Sequence, residues 1–266
     1  MLGAIIGDTV GSVYEWNNYK GKDFPLYSPK CFLTDDSIMT LAIAKALLES
    51  GKDLKKLSWN AVKEMQELGR KYPGRGYGGR FLEWLYLEDP QPYNSFGNGS
   101  AMRISPVGFT ADSVEEAIKM SKAVTEVTHN HPEGIKGAEA IAVAIVLARQ
   151  EKKIPEIRKY IEEHYYHINF TLNSLRPHYE YDVTCQGSVP QSLEAFFESN
   201  SFEDAIRNAI SLGGDSDTLA AITGGLAGAY YGIPKEIREK QLTYMDSFQI
   251  EILNEFENRY QPKINK

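Results

Sequence analysis

The 266-residue chain has only two cysteines, Cys31 and Cys185, which rules out a disulfide framework. Neither stands at zinc-ligand spacing from a histidine or from the other, so both are expected to be reduced and without a role. No basic block longer than a pair of lysines offsets the net charge of -7, which argues against general nucleic-acid binding. No uncharged run reaches membrane-spanning length, and the apolar start Met1 to Ile6 lacks a basic leader region and meets Asp8 at once. A soluble, cytoplasmic protein is expected. Repeats, low-complexity linkers and convincing strands are also missing.

Helical signals fill the chain. Gly3, Gly7 and Gly11 recur every four residues and line one face of a first helix, where glycine's cost is justified only by a backbone packed very close. Glu15 follows at its end. Apolar periodicity or capping signals predict helices over 38–48, 53–69, 112–127, 134–150, 154–166, 192–200, 202–212, 219–232 and 234–256. Ser113 and Glu116 stand at capping-box spacing. The stretch between 166 and 190 reads as irregular. Residues 1–266 are expected to form one all-α domain, with a monomer as the default state.

Two acidic clusters organise this chain. Thr34-Asp35-Asp36-Ser37 opens one helix and Gly213-Gly214-Asp215-Ser216-Asp217-Thr218 opens another. One Asp or Ser suffices to cap a helix. A second carboxylate beside it adds repulsion that a cation or strong hydrogen bonds must offset. Thr34, Asp35, Asp36, Asp215, Asp217 and Thr218 together offer oxygen ligands only, which suits Mg²⁺, Mn²⁺ or Ca²⁺ better than zinc or copper. Four carboxylates exceed the needs of one Mg²⁺ and fit two adjacent ions.

Two glycine-containing loops surround these clusters in sequence. Residues 72–80 carry five glycine or proline breaks with Arg75 and Arg80, and fit either a surface loop or a cradle for a diphosphate. Residues 96–103, Phe-Gly-Asn-Gly-Ser-Ala-Met-Arg, offer donors and acceptors suited to a sugar hydroxyl or phosphate, or to an ordinary cap. His129 and His131 lack the further soft ligands of a zinc site. Spacing alone points to a polar nucleotide or sugar-phosphate ligand and goes no further.

At these residues the chain resembles the ADP-ribosylglycohydrolase family. Gly7-Asp8-Thr9-Val10-Gly11 with Glu15, Thr34 to Ser37, Gly97 to Arg103, Thr128-His129 with Pro132, and Gly213 to Thr218 occur in the family's order over nearly the whole chain. The resemblance implies an all-α fold, two Mg²⁺ or Mn²⁺ ions, and hydrolysis of the bond between ADP-ribose and its acceptor. It implies Thr34, Asp35, Asp36, Asp215, Asp217 and Thr218 as metal ligands and Glu15 as a mobile acid near them. Asp35 and Asp36 join Glu15 as candidates for proton transfer. Asn98, Gly99 and Ser100 are implied as substrate-loop contacts, and His129 as an ADP-ribose contact. The implied partners are an ADP-ribosylated protein or small molecule and the ADP-ribose product. Two other readings remain at this stage, an ADP-ribose-binding protein without turnover and a binuclear phosphohydrolase.

Overall fold

The computed structural model describes residues 1–260, and among these the secondary structure is helical, with one isolated bridge between Gly97 and Thr184. In chain order the helices are α1 Leu2–Gly11, α2 Asp35–Ser50, α3 Leu54–Lys71, α4 Gly79–Trp84, α5 Gly99–Met102, α6 Ser105–Thr110, α7 Val114–Thr125 and α8 Pro132–Arg149. They continue as α9 Ile154–His164, α10 Leu172–Leu175, α11 Cys185–Phe197, α12 Phe202–Ile210, α13 Ser216–Tyr231, α14 Lys235–Leu242 and α15 Ser247–Tyr260. None of the described helices is long and apolar enough to cross a membrane.

The glycine stripe of α1 sets the centre of the fold. All ten residues of α1 are buried, and it lies along α13. A methyl group at Gly3 would stand 2.1 Å from the Gly224 carbonyl oxygen, and one at Gly7 would stand 1.9 Å from that of Ala220. At Gly11 it would meet the Cα of Asp217 at 2.5 Å. Backbone therefore touches backbone along the whole pair. Gly7→Ala is expected to cost about 3 kcal/mol or more, because the clash is with main chain that cannot swing aside. A urea titration measures this directly, and a loss under about 1 kcal/mol would show that the pair can part cheaply.

Around this pair pack α2, α8, α11 and α12, and α3, α6, α7, α9 and α15 add further buried apolar side chains. Side-chain caps explain several boundaries. Thr34, Asp53, Ser113, Thr184 and Ser201 each accept from a backbone N–H in the first turn of the helix they open.

Three expectations change. The segment expected to be irregular up to Pro190 is helical from Cys185, with Pro190 inside α11. Proline there deletes one bond, to the carbonyl of Gln186; that residue is exposed, so water takes its place. The helix expected over 234–256 is two helices, broken by a turn at 243–246. Asp246 and Gln249 then cap each other reciprocally at 2.9 and 3.0 Å, which starts α15 afresh. The glycine-rich loop is followed by a short helix, α4, whose Phe81 and Trp84 are buried.

Candidate functional site

The close approach of α1 and α13 carries polar side chains into the centre of the molecule. Asp8 lies on α1, fully buried, where it reaches across to the start of α2. Its carboxylate accepts from the backbone N–H groups of Thr34 at 3.0 Å and Ser37 at 3.2 Å. It also accepts from the Thr34 hydroxyl at 2.5 Å and from the Ser37 hydroxyl. Four donors saturate it, so Asp8 caps α2 from another helix and fixes Thr34, Asp35 and Asp36 in place. Sequence reasoning gave Asp8 no role, although a single charge in an otherwise apolar, glycine-striped helix was the available signal.

The second acidic turn is built differently. Gly213 and Gly214 have φ of 69° and 66°, a left-handed pair that side chains would strain. Asn18 Oδ1 accepts from the Gly214 N–H at 3.2 Å, tying the turn to the segment that follows Glu15. Asn98 Nδ2 donates to Asp215 Oδ2 at 2.6 Å, and Thr218 Oγ1 donates to Asp36 Oδ2 at 3.2 Å. The Thr218–Asp36 hydrogen bond thus joins the two clusters at their helix starts, and Asn98 braces the second.

Carboxylate oxygens of Asp8, Asp36 and Asp217 all lie within 4.8 Å of one another, and so do those of Glu15, Asp215 and Asp217. Asp217 belongs to both groups. Asp36 Oδ1 is buried and has no hydrogen-bond partner. Burial raises every one of these acids, reaching about 6 for Asp8 and about 8 for Asp35. Asp36 and Asp217 are pushed well above the usual range by burial, and then by the carboxylates beside them. Asp215 is raised by burial against the opposing Asn98 hydrogen bond. Glu15 is raised by burial and then by Asp215.

These acids open on a cavity of about 660 Å³. Its walls include Glu15, Thr34, Asp35, Asp36, Asp215, Asp217 and Thr218, with Asn98 beside Asp215, and also Gly99, Arg103 and His129. The loop 72–80 contributes Gly74, Arg75, Gly76, Gly78 and Gly79. Arg75 belongs to the frame of the site, because its carbonyl accepts from the Asp35 N–H at 2.8 Å and its guanidinium donates to the Leu33 carbonyl at 3.0 Å. Asp35 is the least buried of the four cluster aspartates. Trp16, 79% exposed, stacks on Tyr181 at the rim, and the Tyr181 hydroxyl donates to Glu15 at 3.1 Å. Neither aromatic residue was singled out from the sequence.

Ser100 stands apart from the other sequence candidates. Its hydroxyl is fully buried, donates to the Gly134 carbonyl at 2.8 Å, and does not line the cavity. It ties the 96–103 segment to α8. His131 caps α8 by accepting from the Glu133 N–H at 3.1 Å.

The chain has relatives of this description. ADP-ribosylhydrolase ARH3 of Mus musculus is 26% identical over an alignment covering 88% of this chain and 83% of that protein. ADP-ribosylarginine hydrolase Tri1 of Pseudomonas putida is 28% identical, with 90% and 72% covered. Among solved structures, an ADP-ribosylglycohydrolase-related protein complex superposes with a TM-score of 0.71 at 25% identity, covering 98% of this chain and 95% of that one. The profile of the ADP-ribosylglycohydrolase family matches residues 1–262. With the match spanning the helices that carry both acidic clusters, this chain belongs to the ADP-ribosylglycohydrolase family.

Proposed function

We propose that the chain is a metal-dependent hydrolase that releases ADP-ribose from an acceptor on a protein or small molecule. The observation that carries this reading is the pair of carboxylate groups, sharing Asp217, at one end of a nucleotide-sized cavity. Among the described residues no ion pair joins a lysine or arginine to these acids, and the orphaned Asp36 Oδ1 is a lone pair without a partner. An all-oxygen donor set of this charge fits two Mg²⁺ or Mn²⁺ ions. Thr34, Asp35, Asp36, Asp215, Asp217 and Thr218 would hold them, while Asp8, already saturated by four donors, keeps the ligands of α2 in register. When bound, the ions supply Lewis acidity to sugar and water oxygens.

The remaining steps fall to the chain's own side chains. Glu15, shifted toward its protonated form by burial and then by Asp215, and steadied by Tyr181, delivers a proton to the departing acceptor. Asp35 or Asp36 takes the proton of the attacking water. Carboxylates around the anomeric carbon favour the positive charge that develops as its bond to the acceptor lengthens. His129, Asn98 and Gly99, which also line the cavity, would contact the rest of the ADP-ribosyl group.

The test is release of free ADP-ribose from ADP-ribosylated arginine, serine and O-acetyl substrates, with Mg²⁺ or Mn²⁺ and with EDTA, beside Asp35→Ala. We expect release that needs the ion and falls at least about a hundredfold in the variant. Binding of ADP-ribose without release from any substrate would instead mark a binding protein of the same fold.

A further inference from the structure

Arg103 directly follows α5 at the wall of the cavity, and its side chain is 1% exposed. Its Nη2 donates to Thr128 Oγ1 at 2.6 Å, while its Nε has no hydrogen-bond partner. A buried guanidinium ordinarily meets a carboxylate. Here it is directed at a neutral hydroxyl, and that hydroxyl has a second neighbour.

Thr128 Oγ1 stands 2.7 Å from His129 Nδ1 and 3.5 Å from the Thr125 carbonyl oxygen. The hydroxyl has one proton to give. The carbonyl contact is at the outer limit for a hydrogen bond, whereas the imidazole contact is near the optimum. A guanidinium donating into Oγ1 also polarises the O–H bond and strengthens it as a donor. The proton therefore belongs on the line to Nδ1, and a neutral imidazole that accepts at Nδ1 carries its own hydrogen on Nε2.

We infer that Arg103 and Thr128 form a relay that fixes His129 as the Nε2–H tautomer, so that His129 is a standing hydrogen-bond donor to an acceptor oxygen of a ligand at the Gly97–Gly99 turn. His129 is the contact, and Thr128 and Arg103 are positioning residues. Nε2 lies beside that turn: a methyl group at Gly99 or Gly97 would stand 3.4 or 3.5 Å from it. Arg103 and His129 line the cavity together with Gly97 and Gly99, and Thr128 is buried behind them. Burial, followed by the charge of Arg103, holds the imidazole pKa well below its ordinary value, which suits a ring that keeps a single hydrogen.

The ligand half of this inference rests on the proposed ADP-ribosyl reading; the tautomer does not. Nitrogen-15 spectra of the histidine rings, with His129→Gln to identify the signal, report the tautomer in the ligand-free protein. We expect Nδ1 to appear as an acceptor and Nε2 as the protonated nitrogen. Thr128→Val is expected to shift the ring toward Nδ1–H or a mixture and to weaken ADP-ribose binding about tenfold by calorimetry. Thr128→Ser, which keeps the hydroxyl, should restore both. A wild-type spectrum with the hydrogen on Nδ1 overturns the relay, as does a Thr128→Val ring unchanged from wild type. Should Thr128→Val fail to fold, the wild-type spectrum alone decides. If the tautomer is as inferred but wild type does not bind ADP-ribose, the relay stands and the proposed function falls.

Discussion

Asp36→Asn is expected to lower ADP-ribose release on the order of a thousandfold while making the metal-free protein more stable. The two effects share one cause. Asp36 is buried against Asp8, Asp35 and Asp215, and burial with their combined charge pushes its carboxyl well above the ordinary range. Asparagine keeps an oxygen to accept from Thr218 but removes one negative charge. At pH 8, without divalent ions, the variant should gain about 1 kcal/mol or more, roughly 2–4 °C in Tm for a chain of this size. A thermal melt and a turnover assay on the same preparation give both numbers. An Asp36→Asn protein that melts below wild type would mean that the carboxylate is stabilising as it stands, and the case for a site built to receive cations would fail.

Proton uptake and ion binding then compete for the same oxygens, which yields the second large effect. In the unfolded chain an aspartate titrates near about 3.9. In the folded, metal-free protein Asp8 is raised to about 6 and Asp35 to about 8. Between those limits the native state holds more protons than the unfolded state, so stability falls as pH rises and levels off only above the folded values. The metal-free protein should thus lose Tm between pH 5 and pH 8. Mg²⁺ or Mn²⁺ should restore it, and by more at pH 8, where fewer protons need to be displaced. At an ion concentration of about 100 Kd the gain is about 2.7 kcal/mol, roughly 5–10 °C. An ion-induced shift of equal size at both pH values, or a metal-free Tm that rises over this range, would count against the site.

Local chemistry made much of this legible in advance. Thr34 and Ser113 announce helix starts by their own side chains, and the glycine stripe of α1 announces a close neighbour. The doubled acids at residues 34–37 and 213–218 announce a charge problem that one helix cannot solve. What stayed hidden depends on contacts between distant parts of the chain. Asp8 acts on a helix that begins after a long loop, and nothing in its own neighbourhood says so. Ser100 sits in a loop rich in small polar residues, and only the packing of Gly134 behind it turns its hydroxyl inward. The start of α11 was obscured by Pro190, whose missing bond falls on Gln186, an exposed residue in the first turn of the helix. The reciprocal Asp246 and Gln249 cap was readable as a pattern, and the continuous polar run around it masked the break.

The backbone contact between α1 and α13 also bears on how the protein comes into being. During synthesis the glycine-striped helix emerges well before α13, while the partner that fits its grooves is still unmade. Until α13 arrives, Asp8 is a carboxylate on an apolar helix with its future neighbours on unassembled chain, and Asp217 does not yet exist. The acidic cluster is therefore a late product of chain growth. A ribosome-bound fragment ending before residue 213 lacks Asp215 and Asp217, so the charge repulsion of the finished site is absent while α1 and α2 first form. The apolar faces that α1 later buries against α13 stay uncovered in that interval.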